Sequence, residues 1–192
     1  LKLCPWATFR ENKGGIKMHT LLDLKCNLPV FVRLTEASVH DVRILDELYI
    51  EPGAIYVIDK GYLDFYRLYY LIHGNRAFFV TRAKDNMQYT VEGSSTIDIE
   101  SGVISDQMIK LTGYISGKHY PESFRMVEYE DYATNVVYRF ITNNTTLDPL
   151  TISELYRERW QVELFFRWIK QHLRIKSFYG TSQNAVFSQI WI

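Results

Sequence analysis

Tyr156-Arg-Glu-Arg-Trp-Gln-Val-Glu-Leu-Phe-Phe-Arg-Trp-Ile-Lys170 decides how this chain is read. Tyr156, Arg159, Glu163 and Lys170 follow one another at steps of three, four and seven residues. At roughly 100° per helical residue, the four side chains fall within roughly 60° of one another. One carboxylate then lies between two cations and a phenol on one helix face. A solvated face scatters its charges and a core face carries none. The grouping suits a carboxylate that holds a metal while its neighbours hold phosphates. Leu155, Val162, Phe166, Ile169 and Leu173 form an apolar stripe beside it, through which one long helix docks on a sheet. Thr151 or Ser153, after Pro149, is the expected N-cap. Arg157, Glu158, Arg167 and Gln171 read as solvated charges and polar groups of the outer face.

The second informative stretch lies upstream. Ala54-Ile-Tyr-Val-Ile58 is a short apolar run, the pattern of a strand buried on both faces. It ends in Asp59, followed by Lys60-Gly61. A strand ending in an acid, with Gly61 giving the backbone room, delivers a carboxylate to the end of a sheet. A turn Asp that caps the next segment fits the same residues equally well. Beside Glu163, the functional reading gains. Carboxylates near one point bind Mg2+ or Mn2+ through oxygen and leave water and substrate phosphate to complete the octahedron.

The remaining segments place these two. Ile16–Leu24 and Leu28–Thr35 read as a hairpin turning at Lys25-Cys-Asn27. Ser38-Val-His-Asp41 reads as a capping box, with Asp in the role of Glu, before a short helix from Val42 to Tyr49. Residues 63–73 read as a helix stopped by Gly74-Asn75, and Ala77–Arg82 as a strand. Residues 86–140 are rich in Thr, Tyr, Val, Ser and Gly, which predicts short antiparallel strands rather than helices. Val136–Thr142 is the last strand, entered by a turn at Asn135 and closed by Asn143-Asn144-Thr145-Thr146. The fold class that follows is α/β: a mixed sheet flanked by helices, with a β-rich insertion over about 86–140 before the last helix.

A chain of 192 residues with 47% hydrophobic content can bury a full core, so one domain over 1–192 is the expectation. Net charge is zero, and the nucleic-acid signal is local: the Arg- and Lys-bearing ends flank a more acidic middle. Cys4 and Cys26 have neither metal spacing nor a disulfide framework, which suits a reduced cytoplasmic setting. No signal peptide and no membrane-length apolar run is present. His19 and His40 read as structural, because Mg2+ sites prefer oxygen. Lys13, Lys17, Arg82 and Lys84 read as solvated cations within reach of DNA. Trp160 lies beside the signature face, where it can stack on a base or pack on a loop. Among Tyr89, Tyr114, Tyr120, Tyr129 and Tyr132, strand-face packing is the main expectation and capture of a flipped base the other. Asn143 and Asn144 read as DNA contacts or as the turn.

Tyr56-Val-Ile-Asp-Lys-Gly-Tyr-Leu-Asp-Phe65, with Tyr-x2-Arg-x3-Glu-x6-Lys at 156–170, resembles the DDE transposases of bacterial insertion sequences. The resemblance is to the group named after insertion sequence four, which carries a Y-R-E-K signature. It covers nearly the whole chain and includes Pro5-Trp6-Ala7, Lys13-Gly14, Lys17-x-His19 and Phe178-Tyr-Gly-Thr181. It implies an RNase H-like fold with 86–140 as the β-rich insertion. It also implies Asp59 and Glu163 as second and third catalytic, metal-binding acids, with Mg2+ or Mn2+ as cofactor. Tyr156, Arg159 and Lys170 would contact DNA phosphates. The implied activity is metal-dependent cleavage at transposon ends and strand transfer to target DNA. The implied partners are double-stranded DNA, as terminal inverted repeats and target, and a second copy in a homodimer, in the bacterial cytoplasm at the nucleoid. The family's first acid lies upstream of the Pro-Trp segment, where this chain has only Leu1-Lys-Leu-Cys. Asp23 and Asp41 fit structural roles better. The expectation is a piece cut at both ends and inactive alone. The other readings are a non-catalytic DNA-binding remnant of a transposase and an RNase H-like nuclease.

Overall fold

Short β-branched and aromatic runs, punctuated by Gly, Asn and Asp, give ten strands among the residues that the computed structural model describes: 7–10, 13–97, 101–172 and 179–191. The elements in order are β1 (Thr8–Arg10), β2 (Lys13–Gly14), β3 (Ile16–Asp23), β4 (Leu28–Glu36), a 3-10 helix (Asp41–Glu47) and β5 (Ile55–Ile58). A short α1 (Phe65–Arg67) runs on as a wide-turn segment (Leu68–Ile72) and a 3-10 turn (His73–Asn75). Then come β6 (Phe78–Arg82), β7 (Tyr89–Ser94), β8 (Val103–Leu111), α2 (Tyr114–His119), β9 (Phe124–Asp131) and β10 (Val136–Thr142). The chain closes with α3 (Pro149–Glu158), α4 (Trp160–His172) and α5 (Gln183–Trp191). Two compact bodies result. One holds the described residues up to Ile44 and from Trp160 onward, the other Leu45–Arg159.

The larger body is a six-stranded mixed sheet in the order β5-β6-β10-β9-β8-β7, flanked by helices. β5 and β6 run parallel, joined through the helical segment at 65–75, and every other pairing is antiparallel. Side-chain alternation splits the core between the two faces. Phe79 and Phe124 meet Phe65 and Tyr120 on one face, with the Tyr120 and Phe124 rings 4.9 Å apart. Val80, Val103, Val127 and Phe140 pack against Ile152 of α3 on the other. The antiparallel strands expected across 86–140 are present. They extend the β5–β6 sheet through β10, and the short helix α2 within them was not expected.

Several local expectations are corrected. β5 is an edge strand among the described residues. Tyr56 and Ile58 are buried on one face, whereas on the other Val57 is only half-buried and Ile55 exposed. Apolar composition reads alike in both settings. The N-cap of α3 is Asp148, whose Oδ1 accepts from the Leu150 amide, with Pro149 in the first turn. Thr151 and Ser153 lie inside the helix, and the buried Ser153 hydroxyl donates to the Leu150 carbonyl. The helix predicted from Val42 is the 3-10 helix from Asp41, and no Ser38 capping box forms there. Lys17 draws the Asp41 carboxylate away at 2.9 Å.

The smaller body contains the β3–β4 hairpin, paired Ile16↔Glu36 through Asp23↔Leu28, where the sequence placed it. Asn27 turns it with a left-handed φ of 55°. Asp23 accepts from the Lys25 amide. His19 is buried and bonded to the Thr35 hydroxyl at 2.9 Å. Both fill the structural roles expected of them. Ala7 and Val186 form a second small core with Ile16, Phe187 and Ile190. Cys4, Pro5, Trp6, Leu173, Phe178 and the Lys13 side chain lie outside the described residues.

Candidate functional site

Asp59 leaves the C-terminal end of β5 in extended backbone (φ −64°, ψ 146°) and caps the turn that follows. Its Oδ1 accepts from the Gly61 amide at 2.8 Å. The capping and the sheet-end readings of Asp59 therefore hold together. A Cβ at Gly61 would sit 3.2 Å from that same oxygen, so the glycine gives the carboxylate its room. The other oxygen, Oδ2, faces the Arg159 guanidinium, with Nη1 at 3.5 Å. The Asp59 side chain is 47% exposed and that of Arg159 25%.

α3 brings Arg159 there because its inner face is apolar. Ile152 is fully buried, and Leu155 and Tyr156 pack on the same cluster. The Tyr156 ring lies 5.0 Å from Phe140, and the Arg159 guanidinium stands over it at 5.7 Å. Burial raises the Tyr156 phenol above its ordinary range, and the neighbouring Arg159 opposes that shift. The phenol thus stays protonated, as a donor, throughout the neutral range. The ring is half-buried against the core, with the Arg159 guanidinium over it.

The predicted single helix is interrupted at Arg159, between α3 and α4. The Arg159 amide bonds to the Tyr156 carbonyl, three residues back, at 3.1 Å. This tightening costs the helix its i−4 ladder at one residue. Both segments are amphipathic, so the sequence period runs through the break unchanged. Tyr156 and Arg159 belong with Asp59 in the larger body. Glu163 and Lys170 belong to the smaller one, in the first and last turns of α4. Glu163 is half-buried and Lys170 exposed, and seven residues apart they share one face of that helix.

Other cations lie on the larger body, Lys60 directly after Asp59 and Arg82, Lys84 and Arg139 further along the chain. Lys60 pairs with Asp85 at 3.1 Å, and Arg139 approaches the same carboxylate at 3.6 Å. Lys60, more than the arginines, holds the Asp85 carboxyl below its usual range. Arg82 stands over Tyr138 at 4.9 Å, and Lys84 bonds to the Leu63 carbonyl. Lys60 and Arg139 carried no role in the sequence reading. The signal for Lys60 was its place directly after Asp59, whereas Arg139 is set only by strand pairing. Asn143 spans β6 instead of facing outward: its Oδ1 accepts from the Phe79 amide and its Nδ2 donates to the Ala77 carbonyl. Asn144 closes the turn by accepting from the Thr146 and Leu147 amides. Tyr120 is core, and Tyr114 and Tyr132 are exposed.

A carboxylate oxygen is the donor type that a hard divalent cation takes. At Asp59 one oxygen accepts from an amide, and the other lies beside a guanidinium, whose charge opposes a cation. Among the described residues, no three His, Cys, Asp or Glu side chains gather as a metal cluster, and no helix is long and apolar enough to cross a membrane.

The transposase DDE domain family matches residues 6–192. The Sinorhizobium fredii protein y4zB, which its name calls a transposase, is 38% identical over 99% of this chain and 54% of its own length. A Geobacillus stearothermophilus protein named as a transposase for insertion sequence element IS5377 is 29% identical over 97% of this chain and 49% of its own. A Synechocystis protein named for insertion sequence element IS4SA is 24% identical over 92% of this chain and 49% of its own. The chain thus spans about half the length of the curated relatives it matches. No solved structure matches it. With nearly its full length inside the family match, this chain belongs to the DDE-domain transposases.

Proposed function

We propose that this chain is the catalytic part of a DNA transposase that cuts double-stranded DNA at the terminal repeats of its element and joins the ends to target DNA. The observation that carries this is Asp59, held at the end of β5 with Arg159 against it, inside a chain of this family. Asp59 and Glu163 act as two catalytic acids of an RNase H-like fold. Mg2+ or Mn2+, held by these carboxylates, would activate the attacking oxygen and stabilise the leaving one. Arg159 forks onto a DNA phosphate, Lys170 adds a point charge, and the protonated Tyr156 phenol donates a hydrogen bond. The acting form is a homodimer bridging two element ends, in the cytoplasm at the nucleoid.

The test is Mn2+-dependent cleavage of an element-end duplex by the full-length gene product. Glu163→Ala and Asp59→Asn should each lower cleavage by about 10^3-fold or more. Cleavage that survives in Glu163→Ala would remove the acid role assigned to it. Cutting without joining would mark an RNase H-like nuclease. Salt-sensitive DNA binding with no cleavage, weakened on replacing Arg159 and Lys170, would mark a DNA-binding remnant.

A further inference from the structure

Parallel β5 and β6 pair Ile58 with Thr81, so Asp59 and Arg82 come next at the same end of the sheet. β10 sets Phe140 beside Arg82, with Arg139 adjacent. The carboxyl ends of parallel strands are where α/β sheets open a crevice for ligands. At that end Lys60 and Arg139 meet over one carboxylate. Asp85 gives a different oxygen to each: Oδ2 lies 3.1 Å from the Lys60 ammonium, and Oδ1 lies 3.6 Å from Nη2 of Arg139. The Asp85 side chain is 85% exposed, whereas those of Lys60 and Arg139 are 34% and 33% exposed. Asp85 stands in the turn that the Met87 amide closes on the Lys84 carbonyl. The turn residues Asp23 and Asp131 accept from amides of their own turns, but Asp85 directs its oxygens to the two cations. Glu128, opposite Arg139 on β9, accepts from the Ser105 hydroxyl instead. Two cations held together repel one another, and an exposed carboxylate offsets that repulsion only in part. Lys60 first, then Arg139 and Arg82, hold down the Asp85 carboxyl, and Arg82 also acts against the burial that raises the Tyr156 phenol. Arg82 thus lies within electrostatic reach of both this pair and Tyr156, over which Arg159 stands.

We propose that Lys60 and Arg139 together hold one backbone phosphate of DNA, at the place that the Asp85 carboxylate fills when DNA is absent. The inference rests on the function proposed above and adds to it a phosphate site directly after Asp59. A carboxylate that meets two cations through separate oxygens does what a phosphodiester does with its two non-bridging oxygens. The diester carries the same single charge, so exchange at this one site is near balance, and release of counter-ions along the duplex tips it toward DNA. A phosphate contact reads no base. The site therefore fixes where the backbone runs past Asp59, not which sequence is bound.

The test is binding of a duplex of unrelated sequence by the full-length gene product, in EDTA and across a salt series. Lys60→Gln and Arg139→Gln should each weaken binding roughly three- to tenfold and lower the slope of log affinity against log salt by about one. The double variant should lower the slope by about one in all, because both cations serve one phosphate. Asp85→Asn should tighten binding about two- to fivefold, and that gain should vanish in the Lys60→Gln, Arg139→Gln background. Circular dichroism checks that each variant is folded. If Arg159→Gln and Lys170→Gln weaken binding but Lys60→Gln and Arg139→Gln do not, the proposed function stands and this site is overturned. Slope losses that add to about two in the double variant mark two separate contacts and overturn the shared phosphate. A gain from Asp85→Asn that persists without Lys60 and Arg139 is a long-range charge effect and overturns the exchange. If the Lys60 and Arg139 variants behave as expected but Arg159→Gln and Lys170→Gln bind like the parent, this site stands and the phosphate roles given to Arg159 and Lys170 fail. A parent that binds no duplex overturns both.

Discussion

Gly61 shows at the scale of one residue how closely the Asp59 carboxylate is fitted. An added Cβ would meet Oδ1 at 3.2 Å, tighter than most contacts of real Cβ atoms, so either the side chain or the turn must give. Gly61→Ala should weaken Mn2+ binding severalfold while unfolding free energy changes by less than about 1 kcal/mol, as checked by Mn2+ titration beside a urea melt. Tyr120 makes the opposite case, a polar group placed for packing. Burial, more than nearby Glu122 and Tyr69, raises its phenol well above the ordinary value. A raised folded-state value means that the associated stability is fully present below the ordinary tyrosine value of about 10 and is lost as pH rises beyond it. Tyr120→Phe should therefore flatten the fall in stability above about pH 10, read from melting temperatures across alkaline buffers. Asp23 and His19 were legible as structural from local pattern, because a turn and a strand face set their partners. The Arg159–Asp59 pair was not, because 100 residues of chain separate its halves.

Among the elements, α3 carries most of the argument. It starts where Asp148 meets the Leu150 amide, so Asp148→Ala should cost about 1 kcal/mol in urea unfolding. Its approach to the sheet is tied by Arg125, which joins β8 and β9 to the loop carbonyl of Leu147. Arg125→Met alone should cost about 3–5 kcal/mol, since it strands a buried Asp106. Replacing both by apolar residues should cost much less. Denaturant midpoints for the two single variants and the double variant measure the difference. The break at Arg159 and the short helix α2 lie beyond what sequence period resolves. Amphipathic spacing continues through a tightened turn, and a six-residue helix is too short to show a period against Tyr- and Gly-rich strands.

At the scale of the whole molecule, two compact bodies have separate cores, one around Ile152 and Val80, the other around Ala7 and Val186. Val186→Ala should speed amide exchange in β1, β2 and α5 and leave β6, β9 and β10 protected, whereas Ile152→Ala should do the reverse. Uniform loss of protection in either variant would mean that the chain unfolds as one unit. The sequence by itself determined the hairpin, the β5 and β6 strands, the antiparallel run across 86–140 and the transposase family. Each of these rests on local period, turn residues or a spaced motif that needs no partner. Only the tertiary structure decided that β5 lies at an edge among the described residues, that Tyr156 packs half-buried on the core, that Arg159 meets Asp59, and that the signature helix divides. Those outcomes depend on which distant groups compete for the same carboxylate, ring face or backbone bond, and one-dimensional spacing carries no record of that competition.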